Sequence, residues 1–199
     1  MSNAASPWPA SWLSGSGLSD LLVISAPTIG EALEMAEHAR GPVAVVPPDW
    51  VTNDGPIVVA TGHDLGSDAP IAPAIAIARH RAAPLVLVHV WGMPGTGTVV
   101  MPRDPYGVGS IPDGQAGALE LLTSQLRLQH PDLVFRSEVR QSTHIAREIL
   151  AAASNASAIV VGRGGTHARH PQLGHIAREL VAISPCPVVI APNSALHAR

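Results

Sequence analysis

Lysine is missing altogether: all twelve basic side chains of the 199-residue chain are arginine. Chemistry that needs a lysine amine, such as a Schiff base or the lysine of a P-loop, is thereby excluded. Phenylalanine and tyrosine occur once each, the formal charge is -3, and no basic cluster with interleaved aromatics is present. Nucleic acid is therefore not an expected partner, because base stacking and phosphate neutralisation both lack their side chains. The single cysteine, Cys186, rules out an internal disulfide, and its setting in the apolar run SPCPVVIAP reads as a structural thiol in a buried strand. A run of about eighteen apolar residues, the length that spans a bilayer, occurs nowhere. The N-terminus MSNAASPWPASWLSGSGLSD has neither a basic start nor a sustained apolar stretch, so the expectation is a cytoplasmic protein without membrane contact.

What is present is a chain 46% hydrophobic, long enough for one domain with a sizeable core and an appendage. From Pro56 onward, short β-branched runs alternate with longer Ala-rich segments. Strands are predicted over Ile57 to Thr61, Pro84 to Trp91, Leu133 to Val139, Ala158 to Val161 and Pro187 to Ala191. Helices are predicted over Ala69 to Arg81, Gly114 to His130, Thr143 to Ser154, and from the glycine-rich stretch after Val161 to about Ile183. Pro70 and Pro73 fit in the first turn of their helix. In the second helix the apolar face is assigned to Ala118, Leu121, Leu122 and Leu126. Gly92 to Pro112, rich in Gly and Pro, reads as a long loop. Strands apolar throughout belong in a parallel sheet covered on both faces, and helices between them make right-handed crossovers. The expected fold class is α/β, a five-stranded parallel doubly wound sheet of Rossmann-like kind, with its ligand site beyond the carboxyl ends of the strands where the winding reverses.

Residues Asp20 to Trp50, DLLVISAPTIGEALEMAEHARGPVAVVPPDW, repeat the pattern of the last third of the chain: a buried strand, a loop, a helix with apolar positions three and four apart, and a strand opening in Pro-Val. This gives a division into a flexible N-terminus over 1–19, a β-α-β half-domain over 20–54, the main domain over 55–194 and a tail over 195–199. Pro42 to Val46 matches Pro187 to Ala191 in character. The two are expected to pair antiparallel, within one chain or across a dimer.

Together the runs IVVAT, LVLVHVW, AIVVGRGG and SPCPVVIAP, in that order over Pro56 to Asn193, resemble the universal stress protein family. The resemblance implies a five-stranded α/β domain, commonly dimeric through its edge strands, in which many members bind ATP. It implies a stress-response sensor or adaptor. Nucleotide-binding members carry Gly, two residues, Gly, nine residues, then Gly followed by Ser or Thr. Here Gly162 and Gly165 keep the first spacing, but eight residues separate Gly165 from Gly174, and His175 stands at the hydroxyl's place. The family's acid after the first strand aligns with Gly62, and Asp64 follows two residues later. Two of three nucleotide determinants are thus altered, and the site reads as a weak or degenerate one for ATP or AMP. A genuine ATP-binding member is the alternative.

The candidate nucleotide contacts are Gly62, Asp64, Val90, Gly162, Arg163, Gly165, Gly174 and His175. Glycines 162, 164 and 165 allow backbone N–H groups to converge on an anion, and Gly174 opens a helix whose amides and dipole complete a phosphate site. Arg163 and Arg169 are suited to neutralising phosphate. A neutral His175 at a helix N-terminus is a weaker phosphate ligand than a hydroxyl. His63, His167 and His170 read as solvent-facing loop residues, with no metal site assigned, and His89 as a core residue satisfied by a neighbour. No Ser-His-Asp, Cys-His or paired-carboxylate arrangement emerges from the spacing, so no catalytic residue is assigned and the protein is not expected to be an enzyme. A nucleotide-dependent adenylating enzyme or transferase of a related α/β fold, the rival from another class, needs an SGGxDS or HIGH signature that the chain lacks.

Overall fold

The computed structural model describes residues 21–25, 28–62, 65, 69–91, 111–164 and 173–192. Seven strands and five helices follow one another as β1 (Leu22–Ile24), α1 (Ile29–His38), β2 (Val43–Val45), β3 (Ile57–Thr61), α2 (Ile71–Arg81), β4 (Leu85–Trp91), α3 (Ile111–Gln129), β5 (Phe135–Gln141), α4 (Ile145–Ala152), β6 (Ala158–Gly162), α5 (His175–Ile183) and β7 (Val188–Ala191). The strands form one sheet in the order β1-β2-β7-β6-β3-β4-β5. Every neighbouring pair is parallel except β2 with β7. The five expected strands are there as β3 to β7, and the half-domain adds two more to the same sheet.

The apolar runs behave as fully covered strands. Ile57, Val58 and Val59 in β3, Leu85 and Leu87 in β4, and Ile159 and Val160 in β6 are all buried. The doubly wound topology places α1, α5 and α4 side by side on one face and α2 and α3 on the other. Helix α1 begins with Thr28, whose hydroxyl accepts from the Glu31 amide at 3.3 Å and donates to the Glu31 carboxylate at 3.0 Å. The spacing of that pair is a capping box. In α2, Pro70 is the N-cap and Pro73 lies in the first turn, where its missing N–H leaves no bond unmade.

Three expectations are corrected. The inward face of α3 is Leu119, Thr123 and Leu126; Ala118 and Leu121 are exposed and Leu122 is half-buried. A polar residue can serve that face because the Thr123 hydroxyl donates to the Leu119 carbonyl one turn back at 2.7 Å. Strand β5, FRSEVRQ, is not apolar throughout, because it lies at the sheet edge with one flank unpaired. Its outward carbonyl at Phe135 instead accepts from Nε and Nη2 of Arg127 on α3, at 3.3 and 3.0 Å. Finally, β7 is not a sheet edge. Within the same chain, Val43, Ala44 and Val45 of β2 lie opposite Ile190, Val189 and Val188. The homodimer expected through that strand has no free edge there, since both flanks of β7 are hydrogen-bonded.

The link from the half-domain to β3 is pinned under the amino ends of the central strands. Asn53 donates to the Ala156 carbonyl at 3.2 Å and accepts from the Gly55 amide at 2.9 Å. A Cβ on Gly55 would stand 1.8 Å from the Asn155 carbonyl oxygen. Gly55→Ala is accordingly expected to destabilise the protein by on the order of 3 kcal/mol, read as a lower urea midpoint with the slope unchanged. Removing residues 1–54 strips β2 from β7 and bares an apolar edge, so the truncated chain should self-associate in sedimentation. A monodisperse truncated chain of unchanged oligomeric state would show that β2 is not an edge cover.

Candidate functional site

The winding reverses between β3 and β6. From β3 the chain moves outward to β4 and β5, then returns through α4 to place β6 on the other flank of β3. At such a reversal the two connections leave in opposite directions and open a crevice beyond the strand ends. Its floor consists of residues the sequence singles out: Gly62 follows β3, Gly162 closes β6, and the buried Val90 lies one residue beyond the Thr61–His89 register pair. A Cβ placed on Gly62 or on Gly162 meets no atom within 4 Å among the described residues. Packing among the described residues therefore does not require glycine at either position. His89 is buried, and its Nδ1 lies 3.3 Å from the Thr61 hydroxyl, the neighbour expected to satisfy it.

Gly174 joins this group from the far end of the β6–α5 connection. It is the N-cap of α5, its amide donates to the Arg163 carbonyl at 2.7 Å, and a Cβ on it would meet the Gly164 Cα at 3.0 Å. The two ends of the connection therefore touch through backbone, an approach that a side chain at this position would crowd. Nine residues long and without a side-chain cap, α5 turns its first amides and the positive end of its dipole toward the same crevice. His175 does not line it. Its ring is 83% exposed and lies along α5 at 3.4 Å from the Glu179 carboxylate. Asp64 and Gly165, with His63, His167, Arg169 and His170, lie outside the described residues.

Arg163 takes a different course from the one its sequence position suggests. It is only 6% exposed, and its guanidinium donates to the Glu37 carbonyl at 3.2 Å and the Ala39 carbonyl at 2.5 Å. These are terminal carbonyls of α1, which ends at Ala39 in extended backbone with no glycine to close its last turn. Arg163 supplies the missing donors, and a cation at a helix carboxyl end is favoured by the dipole. Burial pulls the guanidinium below its ordinary pKa, against the raising effect of the Glu37 carboxylate. The same carboxylate pairs with Arg178 of α5. The cluster of Glu37, Arg163 and Arg178 joins residues more than a hundred positions apart, and no local spacing announces it.

Two cavities lie away from the switch point. One, of about 140 Å³, runs between α1 and α5 and is lined by Ile29, Ala32, Val45, Val181 and Cys186; the other, of about 560 Å³, opens at the amino ends of β4 and β5 beside Arg79, Asp132 and Arg136. No group of His, Cys, Asp or Glu among the described residues is placed to hold a metal ion. Nor is any helix among them long and apolar enough to cross a membrane.

The fold is that of a doubly wound α/β protein whose winding reverses between β3 and β6. The profile of the universal stress protein family matches residues 55–192, and the chain belongs to that family. Among solved structures, a universal stress protein from Archaeoglobus fulgidus superimposes with a TM-score of 0.63 at 17% identity, covering 90% of this chain and 65% of that one. A putative universal stress protein from Pseudomonas aeruginosa gives 0.58 at 14%, covering 95% and 68%. A shorter Archaeoglobus fulgidus member gives 0.51 at 21%, covering 69% and 98%. At these identities the likeness is one of fold. This chain thus spans less than two thirds of the first relative's length. No curated protein matches it.

Cys186 is 4% exposed, and burial raises its thiol pKa against the lowering effect of the Ser184 hydroxyl. An acid whose folded pKa is raised favours the folded state below its unfolded value and loses that contribution as the pH climbs through the folded one. Stability is therefore expected to fall above about pH 9, the ordinary thiol value, and Cys186→Ala should flatten that decline in urea titrations from pH 8 to 10. An identical decline in the variant would remove the thiol as its source.

Proposed function

We propose that this chain is a stress-response sensor or adaptor of the universal stress protein family, whose switch point takes an adenine nucleotide, ATP or AMP, weakly. Family membership supports the stress role and a cytoplasmic place of action. The nucleotide reading is carried by one observation: Gly62 and Gly162 lie at the ends of adjacent strands at the reversal, a Cβ on either meets none of the described residues within 4 Å, and Gly174 begins a helix at the same end of the sheet. A phosphate seated there would be held by backbone amides and the α5 dipole. What argues for weakness is the charge inventory. The chain has no lysine, Arg163 is occupied with α1, and His175 points along α5 toward Glu179. Each missing hydrogen bond of the family's site lowers affinity by roughly ten- to hundredfold.

We read the protein as a binding protein rather than an enzyme. Among the described residues the Thr61 hydroxyl lies at the end of β3, and it donates to the Val88 carbonyl at 3.2 Å, an arrangement in which its buried neighbour His89 does not act as its base. Calorimetry with Mg-ATP and with AMP tests the reading. The expected dissociation constants are on the order of 10 μM or weaker, and Gly62→Asp combined with His175→Ser, which restores the family's acid and hydroxyl, should tighten them by roughly tenfold or more. A sub-micromolar constant for the unmodified chain would refute the degenerate site.

A further inference from the structure

At the amino ends of β4 and β5, the opposite end of the strands from the switch point, the last turns of α2 and α3 come together. Arg79, in the last turn of α2, donates through Nε and Nη2 to the two carboxylate oxygens of Asp132 at 2.7 and 3.0 Å, and its Nη2 lies 3.0 Å from Nδ1 of His130. This bidentate pair ties the turn after α3 to the end of α2. It raises the pKa of Arg79 and lowers that of Asp132, so both groups stay charged and each satisfies the other.

Beside this pair lies the cavity of about 560 Å³, a volume of the size that small ligands fill. One part of its lining is apolar: Ala82, Ala83, Pro84, Leu133 and Val134, the last 60% exposed. The other part is charged, and with Asp132 committed to Arg79 the guanidinium of Arg136 is left over. Arg136 is exposed and makes no hydrogen bond or ion pair among the described residues. Glu138, the acid two residues further along β5, is taken by Arg140 at 3.2 and 3.0 Å. The backbone beside the cavity is strained as well. Ala82 is the one residue other than glycine with a positive φ among the described residues, at φ 50° and ψ 35°. It closes α2 with its amide on the Arg79 carbonyl at 3.2 Å and that of Ala83 on the Ala78 carbonyl at 2.9 Å, a Schellman turn whose left-handed position favours glycine. Side chains held in such backbone cluster at ligand sites.

We propose that this cavity is a second binding site, for a small organic acid that has one carboxylate and an apolar body. Arg136 takes the carboxylate, because a guanidinium fork matches it with two parallel hydrogen bonds. The wall from Ala83 and Pro84 to Leu133 and Val134 covers the body, which leaves water as Val134 does. A nucleotide does not fit the same lining. One uncommitted guanidinium does not neutralise a polyphosphate, and no aromatic ring is present among the lining residues to stack on a base. The site shares no residue with the switch point, so it stands or falls apart from the nucleotide reading.

Titration of the isotope-labelled full chain with hexanoate, acetate and hexanol, followed through its backbone amide resonances, tests the site. Hexanoate should shift Ala83, Leu133, Val134 and Arg136 saturably, with a dissociation constant on the order of 1 mM. Acetate, which keeps the carboxylate without the chain, should bind at least about tenfold more weakly, since each buried methylene is worth roughly fourfold. Hexanol, which keeps the chain without the charge, should be weaker by about tenfold as well. Arg136→Gln alters an exposed side chain with no partner among the described residues, so its urea midpoint should stay where it is while hexanoate affinity drops about tenfold. Without a saturable shift at these amides the site is refuted. Equal affinity for acetate removes the apolar wall from it, equal affinity for hexanol or an unchanged constant in Arg136→Gln removes the guanidinium, and either result overturns the proposal. Shifts confined to Gly162 and Gly174 would assign the acid to the switch point and overturn it too.

Discussion

Three residue pairs, Val43 with Ile190, Ala44 with Val189 and Val45 with Val188, set most of what is particular to this molecule. They are the one antiparallel junction in an otherwise parallel sheet. Because β2 runs against β7, the carboxyl end of α1 is delivered to the same side of the sheet as the carboxyl ends of β6 and β7. In a parallel addition that end of α1 would lie at the opposite side, about a strand length away. The antiparallel junction alone brings the last carbonyls of α1 within reach of Arg163, which directly follows β6. It also joins two units of the same β-α-β pattern back to back, with α1 and α5 neighbours on one face.

The same junction resolves a problem the sheet would otherwise have. A short, wholly apolar strand such as β7 invites pairing with another chain when its edge is open. Here β2 closes it, and the new edge strand is β1, only three residues long and half exposed at Leu22. The far edge, β5, is handled by side chains: it alternates exposed and half-buried residues, carries Arg136, Glu138 and Arg140, and has its Phe135 carbonyl covered by Arg127. Both edges are blunted, by shortness on one side and by charge on the other.

How much of this the sequence discloses follows from the range of the interactions. Strands β3, β4, β6 and β7 were legible to within a residue or so because their apolar runs are continuous, and continuity is what burial on two faces demands. Strand β5 was placed two residues early, since an edge strand is buried on little more than one residue and its pattern competes with the turn at Leu133, whose amide bonds to His130. The inward face of α3 was misread for a related reason. A hydropathy pattern favours Leu121 over Thr123, while a helix lets Thr123 satisfy its own hydroxyl and turn inward. The pairing of β2 with β7 was legible only as a choice between one chain and two. The repeat reveals like units, and closure within the chain depends on the link at Asn53 to Gly55.

At the crevice, the glycines were legible because a backbone requirement leaves a residue type behind it. The cluster of Glu37, Arg163 and Arg178 was not, because an arginine in a glycine-rich connection after a parallel strand has the same spelling whether it faces a phosphate or a helix end. What decides between them is the partner within reach. Helix α1 ends without a glycine cap, so its terminal carbonyls need donors, and Arg163 supplies them at Glu37 and Ala39. The buried guanidinium holds two carbonyls at a helix carboxyl end through its Nη atoms, while its Nε has no partner among the described residues; leaving those carbonyls unmet would cost about 1 to 3 kcal/mol each. The strength of this attachment is also what removes a cation from the switch point. One residue cannot both cap α1 and neutralise a phosphate, so firm seating of the N-terminal unit and tight binding of a highly charged anion are alternatives, and the geometry of Arg163 in this chain favours the first.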